Sequence, residues 1–420
     1  MKNLSSFERS TILDQLVNLL ITNKDKAAEI ISLESAKPLK FAIGEVDRTI
    51  ETYKFAAEEA KRISGEVLPI DAAKNGFNKI GFTIHEPIGV IAAITPFNFP
   101  MNLVAHKVGP AIAAGNTIVL KPASQTPLSA IFLAELLAQT DLPKGAFNLV
   151  TGSGRVVGDA LVENEKVKMV TFTGSPEVGK NIKTKAGLKR VSLELGSNAG
   201  LIIDKDVNVD SIIDKCVNAA FSNQGQVCIS LQRIYVHEQI IEEFTQKFKE
   251  RTDQLVLGNP LDMNTDISAL ISENDLSRAK TWIDEAISEG ASLTTGGTIE
   301  NQVLRPTILS NVGNTSKVSC QEAFAPVVTV NKISSVDEAI QQINDSIFGL
   351  QAGIFTNNIT HAYQAIKQLE VGGVIINDVP TFRVDHMPYG GVKESGNCRE
   401  GIKYAIEEMT ELKLVVWNHN

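Results

Sequence analysis

Between Val90 and Leu195, short apolar runs alternate with stretches at helical spacing, and no other feature of the chain constrains its fold as strongly. The runs are Val90 to Ile94, Thr117 to Leu120, Phe147 to Val150, Met169 to Phe172 and Val191 to Leu195. Helical stretches between them begin near Asn102, Thr126, Arg155 and Ser175. A strand buried on both faces reads as an unbroken apolar run, and strands joined through helices run parallel. The predicted architecture is therefore α/β, a doubly wound parallel sheet covered on both faces. Such sheets bind ligands beyond the carboxyl ends of their strands. Asn98, Lys121, Ser175 and Glu194 all fall at or just after such ends.

A second αβ series begins after Ser197, with Leu201 to Ile203, a helix over Asp210 to Ser222, a loop, and Arg233 to His237. Amphipathic helices near Ile240 to Leu255 and Ser277 to Glu289 follow, and Val327 to Val330 and Val374 to Asn377 read as further buried strands. Ahead of the first sheet, Ile12, Leu13, Leu16, Val17, Leu20 and Ile21 repeat at helical spacing, as do Val46, Ile50, Tyr53 and Ala57. Between Pro69 and Pro87 the pattern turns to alternation, with Ile80, Phe82 and Ile84 on one face of a half-exposed hairpin. Neither a repeat nor a disordered linker interrupts the chain, so its domains are expected to be tightly joined.

With 420 residues, 43% of them hydrophobic, the chain is long enough for two or three domains around large cores. A net charge of −9 argues against nucleic acid or an anionic membrane as a partner. Cys216, Cys228, Cys320 and Cys398 are few and scattered, which fits a reduced, cytoplasmic chain and no metal site. The polar start, Met1 to Ser6, has no signal-peptide core, and no apolar run is long enough to span a membrane.

Three residues carry candidate chemistry. Cys228 lies in Phe221-Ser222-Asn223-Gln224-Gly225-Gln226-Val227-Cys228, where small and amide neighbours leave a thiol accessible. A nucleophile and a small buried filler are both open for it, whereas Cys216, Cys320 and Cys398 read as filler. Glu194 is a lone carboxylate at the end of an apolar strand, either bonded to backbone or a base whose pKa burial has raised. Asn98, in Thr95-Pro96-Phe97-Asn98-Phe99-Pro100, either caps the following helix or donates to an oxyanion. Ser175 and Pro176 begin a helix as N-cap and first residue, leaving amides free for a phosphate or simply for solvent. Gly152-Ser153-Gly154-Arg155-Val156-Val157-Gly158 has one residue too many for a standard dinucleotide fingerprint.

Together with Lys121-Pro122-Ala123-Ser124, Phe172-Thr173-Gly174-Ser175, Gln321-Glu322-Ala323-Phe324-Ala325-Pro326 and Pro388-Tyr389-Gly390-Gly391-Val392-Lys393-Glu394-Ser395-Gly396, these stretches resemble the NAD(P)-dependent aldehyde dehydrogenases, in that family's order and from about Phe7 onward. The resemblance implies a dinucleotide-binding domain over 1–68 and 88–196, and a catalytic domain over 197–407. It also implies an oligomerisation arm over 69–87 and 408–420, in which Leu412 to Trp417 pairs with the 69–87 segment of a homodimer or homotetramer. The family carries several dozen more residues before Phe7, so a short natural N-terminus or a trimmed one is expected.

The same resemblance implies that Cys228 attacks an aldehyde while Asn98 and the Cys228 amide hold the oxyanion. Hydride leaves to NAD or NADP, and water activated by Glu194 hydrolyses the thioester. Cofactor contacts are implied at Thr95, Pro96, Phe97, Gly154, Gly158, Phe172, Gly174, Ser175 and Leu195. Lys121 would reach the adenine-side ribose, with Ser124 where many NAD-preferring relatives have glutamate. Glu322 would hold the nicotinamide-side ribose, with Phe324 beside the ring. Arg233 and Arg383 are substrate candidates, because a guanidinium fork suits an anionic group. Thr381 to Pro388 resembles dehydrogenases of lactaldehyde, sulfolactaldehyde and phosphonoacetaldehyde. A CoA-acylating semialdehyde dehydrogenase is disfavoured by Glu194, a thiol hydrolase by the lack of an identifiable histidine base, and an inactive relative by the intact Cys228, Glu194 and Asn98.

Overall fold

In the computed structural model, which describes residues 1–419, five parallel strands form the first sheet in the spatial order Phe147–Leu149, Thr117–Lys121, Val90–Ile94, Val167–Thr173, Arg190–Glu194. Each expected run became a strand, with ends displaced by a residue or two. From the central Val90–Ile94 the chain builds outward on one side and then returns to build on the other. The strand order therefore reverses between Val90–Ile94 and Val167–Thr173, and a crevice opens beyond their carboxyl ends. Helices Ser6–Thr22, Lys24–Ser35, Leu39–Glu59 and Asn102–Ala113 pack against this sheet in one apolar cluster that includes Leu16, Tyr53, Val108 and Ile118. The first helix starts with a capping box: Glu8 N–H donates to Ser5 Oγ at 3.2 Å, and Ser5 N–H to Glu8 Oε2 at 2.7 Å.

The second sheet has seven strands, ordered Ser292–Thr295, Thr307–Ser310, Val327–Ile333, Arg233–His237, Gly200–Ile203, Gln351–Phe355, Gly373–Ile376. All pair in parallel except the edge strand Ser292–Thr295. Gln351–Phe355 was not legible as a strand, since Gln351 and Gly353 dilute its apolar signal, yet every residue in it is buried.

A third, antiparallel sheet joins Val67–Leu68, Lys79–Pro87 and Thr410–Asn418, in register from Thr410 opposite Pro87 to Asn418 opposite Lys79. The segment 69–87 is thus less a hairpin than one long strand whose main partner is the chain's C-terminal strand. Single-turn helices at Ile70–Ala72 and Lys74–Gly76 replace the expected outgoing strand. Between the first two sheets runs the loop around Tyr389 to Glu400, stitched to the end of Arg190–Glu194 by Leu195 N–H to Ser395 O at 3.0 Å and Leu193 N–H to Asn397 Oδ1 at 2.8 Å. No described helix is long and apolar enough to cross a membrane.

Candidate active site

Helix Ile213–Phe221 delivers the thiol loop. After Phe221 the chain turns through Asn223 and Gln224, both left-handed, at φ 51° and 56°. Asparagine tolerates this, but glutamine there costs about 1–2 kcal/mol. The Gln224 side chain offsets the cost by donating to Ser268 Oγ at 2.6 Å and the Ala269 carbonyl at 3.0 Å, locking the turn that aims Cys228. Asn98 comes to the same loop from the first sheet, where its Nδ2 donates to the Gln226 carbonyl at 2.9 Å. It does not cap the helix Asn102–Ala113. That end is held by Glu45, which accepts the Met101 and Asn102 amides at 2.9 and 3.1 Å. Glu45 is itself paired with the buried Lys37, whose ammonium lies 3.8 Å from the centre of the Phe99 ring.

The Cys228 sulfur lies 2.9 Å from the Tyr389 hydroxyl. Burial pushes the thiol up to about 11, against the Tyr389 hydrogen bond and the Arg383 charge, which both pull it down. Arg383 stacks on Tyr389 at 3.7 Å, and its Nη2 donates to Glu400 Oε2 at 2.9 Å. Glu400 Oε1 in turn accepts from Lys107 at 3.1 Å. Glu194 lies behind Tyr389: a Cβ on Gly390 would fall 2.9 Å from its Oε1 and only 2.1 Å from the Cys398 carbonyl, and that backbone contact requires glycine after Tyr389. Its Oε1 faces the Cys398 sulfur at 3.3 Å, and its Oε2 has no partner among the described residues. Burial, and then the Glu400 charge, raise Glu194 well above the usual carboxylate range. Glu400 goes the other way: burial opposes ionisation, but Lys107, His106 and Arg383 pull it down to about 2. Glu194, Glu400, Lys107, His106 and Thr171 line a cavity of about 10 Å³, roughly the space one water needs.

Tyr389, Glu400 and Lys107 escaped sequence reasoning. Tyr389 stood inside a quoted motif without a role, and its partner is 161 residues away in the chain. Cys398, expected as inert filler, is buried but has its thiol against a candidate base. Cys216 is core filler, as expected.

The two substrate candidates separate. Arg383 stands beside the nucleophile through Tyr389. Arg233 does not reach the site: it is buried, and Nε, Nη1 and Nη2 donate to the carbonyls of Asn198, Gln342 and Ile343 at 2.8, 3.1 and 3.3 Å. All three of its guanidinium nitrogens are engaged inside the protein, Nη1 also by the Tyr235 hydroxyl at 3.4 Å, so the fork is turned to the backbone and not to a substrate, which corrects that expectation.

The crevice at the strand reversal fits a dinucleotide. Ser175 caps helix Pro176–Lys185 by accepting from the Val178 amide at 3.4 Å, leaving a short helix start behind Gly174. A Cβ on Gly174 would meet the Phe172 ring at 2.5 Å, so the backbone passes tightly over that ring. Beside it, a cavity of about 260 Å³ is lined by Ile94, Gly154, Gly158, Val178 and Ile182 together with Arg155, Asp159 and Asn181, a mostly apolar slot of a kind that can take a flat base. Thr95 continues from the central strand, its amide bonded to the Lys121 carbonyl at 3.2 Å, and Lys121 is buried next to it. Ser124 Oγ donates to the Gly152 carbonyl at 3.1 Å. On the opposite wall, Glu322 accepts the Ser197 amide at 3.0 Å, and burial lifts its carboxyl to about 7. Phe324 packs edge-on to Phe97, centroids 5.7 Å apart.

The family model described as "Aldehyde dehydrogenase family" matches residues 1–415. A 3-sulfolactaldehyde dehydrogenase of Priestia aryabhattai is 49% identical over 414 residues, 99% of this chain and 87% of the relative. A lactaldehyde dehydrogenase of Methanococcus aeolicus is 44% identical over 422 residues, 100% of this chain and 89% of the relative. Among solved structures, aldehyde dehydrogenase 21 from Physcomitrella patens, in complex with its reaction product succinate, superposes with a TM-score of 0.97 at 42% identity, covering 99% of this chain and 87% of that one. A glyceraldehyde-3-phosphate dehydrogenase from Methanocaldococcus jannaschii, complexed with NADP, gives a TM-score of 0.95 at 41% identity, covering 99% of this chain and 91% of that one. By fold, by sequence and by the residues gathered at the crevice, this chain belongs to the aldehyde dehydrogenase family.

Proposed function

We propose that the protein oxidises a small, anionic or hydroxylated aldehyde to its carboxylic acid with NAD or NADP. The observation that carries this reading is the convergence of Cys228 and the Asn98 amide on one loop, with Glu194 behind Tyr389. Cys228 attacks the carbonyl carbon, and the Asn98 amide with the Cys228 backbone N–H holds the developing oxyanion in a water-poor pocket. Ser175, Lys121, Ser124 and Glu322 would hold the dinucleotide, which when bound supplies the hydride acceptor. Glu194 takes a proton from the water that cleaves the thioester, a task suited to a carboxylate that burial has made more basic than usual. Arg383 is the group for an anionic substrate terminus. Relatives that act on sulfolactaldehyde and lactaldehyde, and one solved with succinate, support this choice. The third sheet exposes Ile80, Leu412, Leu414 and Trp417, which supports reading 69–87 and 408–420 as the arm of a homo-oligomer.

The test separates the two halves of the chemistry. Cys228→Ala abolishes aldehyde oxidation. Glu194→Gln keeps acylation and slows deacylation by about 10²–10⁴-fold, so rapid mixing shows a burst of up to one NAD(P)H per site and mass spectrometry shows an acyl-enzyme. A variant with wild-type steady state would mean that Glu194 is not the base. Relief of the stall by CoA would mean that CoA rather than water takes the acyl group.

A further inference from the structure

The Cys228 sulfur has a single hydrogen-bonding partner among the described residues, and that partner is aimed. Tyr389 is 2% exposed, and packs with Ile229, Leu350 and the half-buried Val227 and Met387. Its ring is fixed by the Arg383 guanidinium, and its backbone is bonded in both directions to Glu400, at 3.0 and 2.6 Å. A phenylalanine would fill the same apolar space. The hydroxyl therefore adds a polar atom where one is costly unless bonded, and its bond goes to the nucleophile. The charged and titratable groups facing the pair are Arg383, which favours a thiolate, and Glu194 and Glu322, which oppose one. Burial holds the phenol well above its ordinary value, so it keeps its proton and serves as donor when the sulfur ionises.

Resting on the reading of Cys228 as nucleophile, we propose that Tyr389 is a catalytic residue whose hydroxyl donates a hydrogen bond to the Cys228 thiolate and so sets how much nucleophile is available near neutral pH. The thiol proton passes to solvent, and the phenol proton stays on oxygen. When the sulfur lone pair forms the bond to the carbonyl carbon, the π pair moves onto the carbonyl oxygen, and no bond to Tyr389 breaks. Because Arg383 stacks on the same ring, the group that would recognise an anionic substrate also orients the group that readies the thiol.

The rate of iodoacetamide alkylation, followed on the Cys228 peptide from about pH 6 to about pH 11, reports thiol ionisation without aldehyde or cofactor. Tyr389→Phe is expected to lower that rate about ten- to hundredfold at every pH below about 10, the mark of a midpoint moved up by about one to two pH units. kcat/KM should fall by a similar factor. Site-specific 3-fluorotyrosine at position 389, a stronger acid of the same shape, should move the midpoint down, and decides alone if the phenylalanine variant does not fold. Unchanged midpoints overturn the proposal, even where Cys228→Ala has lost all aldehyde oxidation and the nucleophile assignment stands. Oxidation that survives in Cys228→Ala overturns that assignment and the proposal with it.

Discussion

The thiol of Cys398 lies 3.3 Å from Oε1 of Glu194, the only side-chain partner this buried carboxyl has among the described residues. The same sulfur is 3.4 Å from the Leu193 carbonyl, so one S–H is shared between a backbone oxygen and the candidate base. Next to them Glu400 is held ionised by Lys107, His106 and Arg383. Neighbouring carboxyls with pKa values pushed apart divide the acid and base roles between them.

Removing the Cys398 donor favours the protonated form of Glu194, because the thiol bond stabilises the carboxylate. In Cys398→Ala, the acid limb of thioester hydrolysis should move to higher pH by less than about one unit, as expected for a weak neutral donor. Single-turnover deacylation across pH measures it, and an unmoved limb means the thiol is not bonded to the base.

Glu194 also has a stability signature. Its folded-state pKa is raised, so below the ordinary carboxyl range both folded and unfolded forms hold the proton and the residue adds no pH dependence. As pH rises toward the folded value, the unfolded chain ionises first and the native state loses ground. Glu194→Gln should therefore raise Tm at pH about 8 while changing it little at about pH 4. Glu400 is depressed and acts in the opposite sense, losing its contribution as pH falls from the ordinary range toward 2. Equal Tm shifts at both pH values would refute the Glu194 assignment.

Cofactor choice should turn on Ser124, which bonds Gly152 at the crevice and brings no negative charge. Wild-type enzyme is expected to use NADP within about tenfold of NAD, since no carboxylate repels a 2′-phosphate. Ser124→Glu should lower kcat/KM for NADP by about tenfold or more and spare NAD. Strict NAD dependence in the wild type would end this account.

Arg383 and Arg233 should respond differently to substitution. An aldehyde with an anionic terminus should exceed a neutral one of equal length by more than about tenfold in kcat/KM, the worth of one charge-assisted bond. Arg383→Met should erase that ratio, whatever it does to the absolute rates. Arg233→Met should leave the ratio alone and lower stability by about 3 kcal/mol, because buried carbonyls lose their donors. A preserved ratio in Arg383→Met would remove Arg383 from substrate recognition.

The first parallel sheet, four of the seven strands of the second, the strand ends that carry Asn98, Ser175 and Glu194, and the thiol loop are legible in the sequence. Side-chain periodicity reports whether a segment is buried on one face or two, and glycine, proline and capping residues mark its ends. Those are local properties, written within a few residues of one another. The hydroxyl that meets Cys228 comes from 161 positions away, and the thiol that meets Glu194 from 204. Nothing in the neighbourhood of Tyr389 or Cys398 marks either as a partner, since both are residue types at home in an apolar core. Two arginines looked alike in the chain, yet one is buried among backbone carbonyls and the other stacks beside the nucleophile. Only packing the two sheets around the loop 389–400 decided which polar groups would lose water together, and therefore which had to bond to one another.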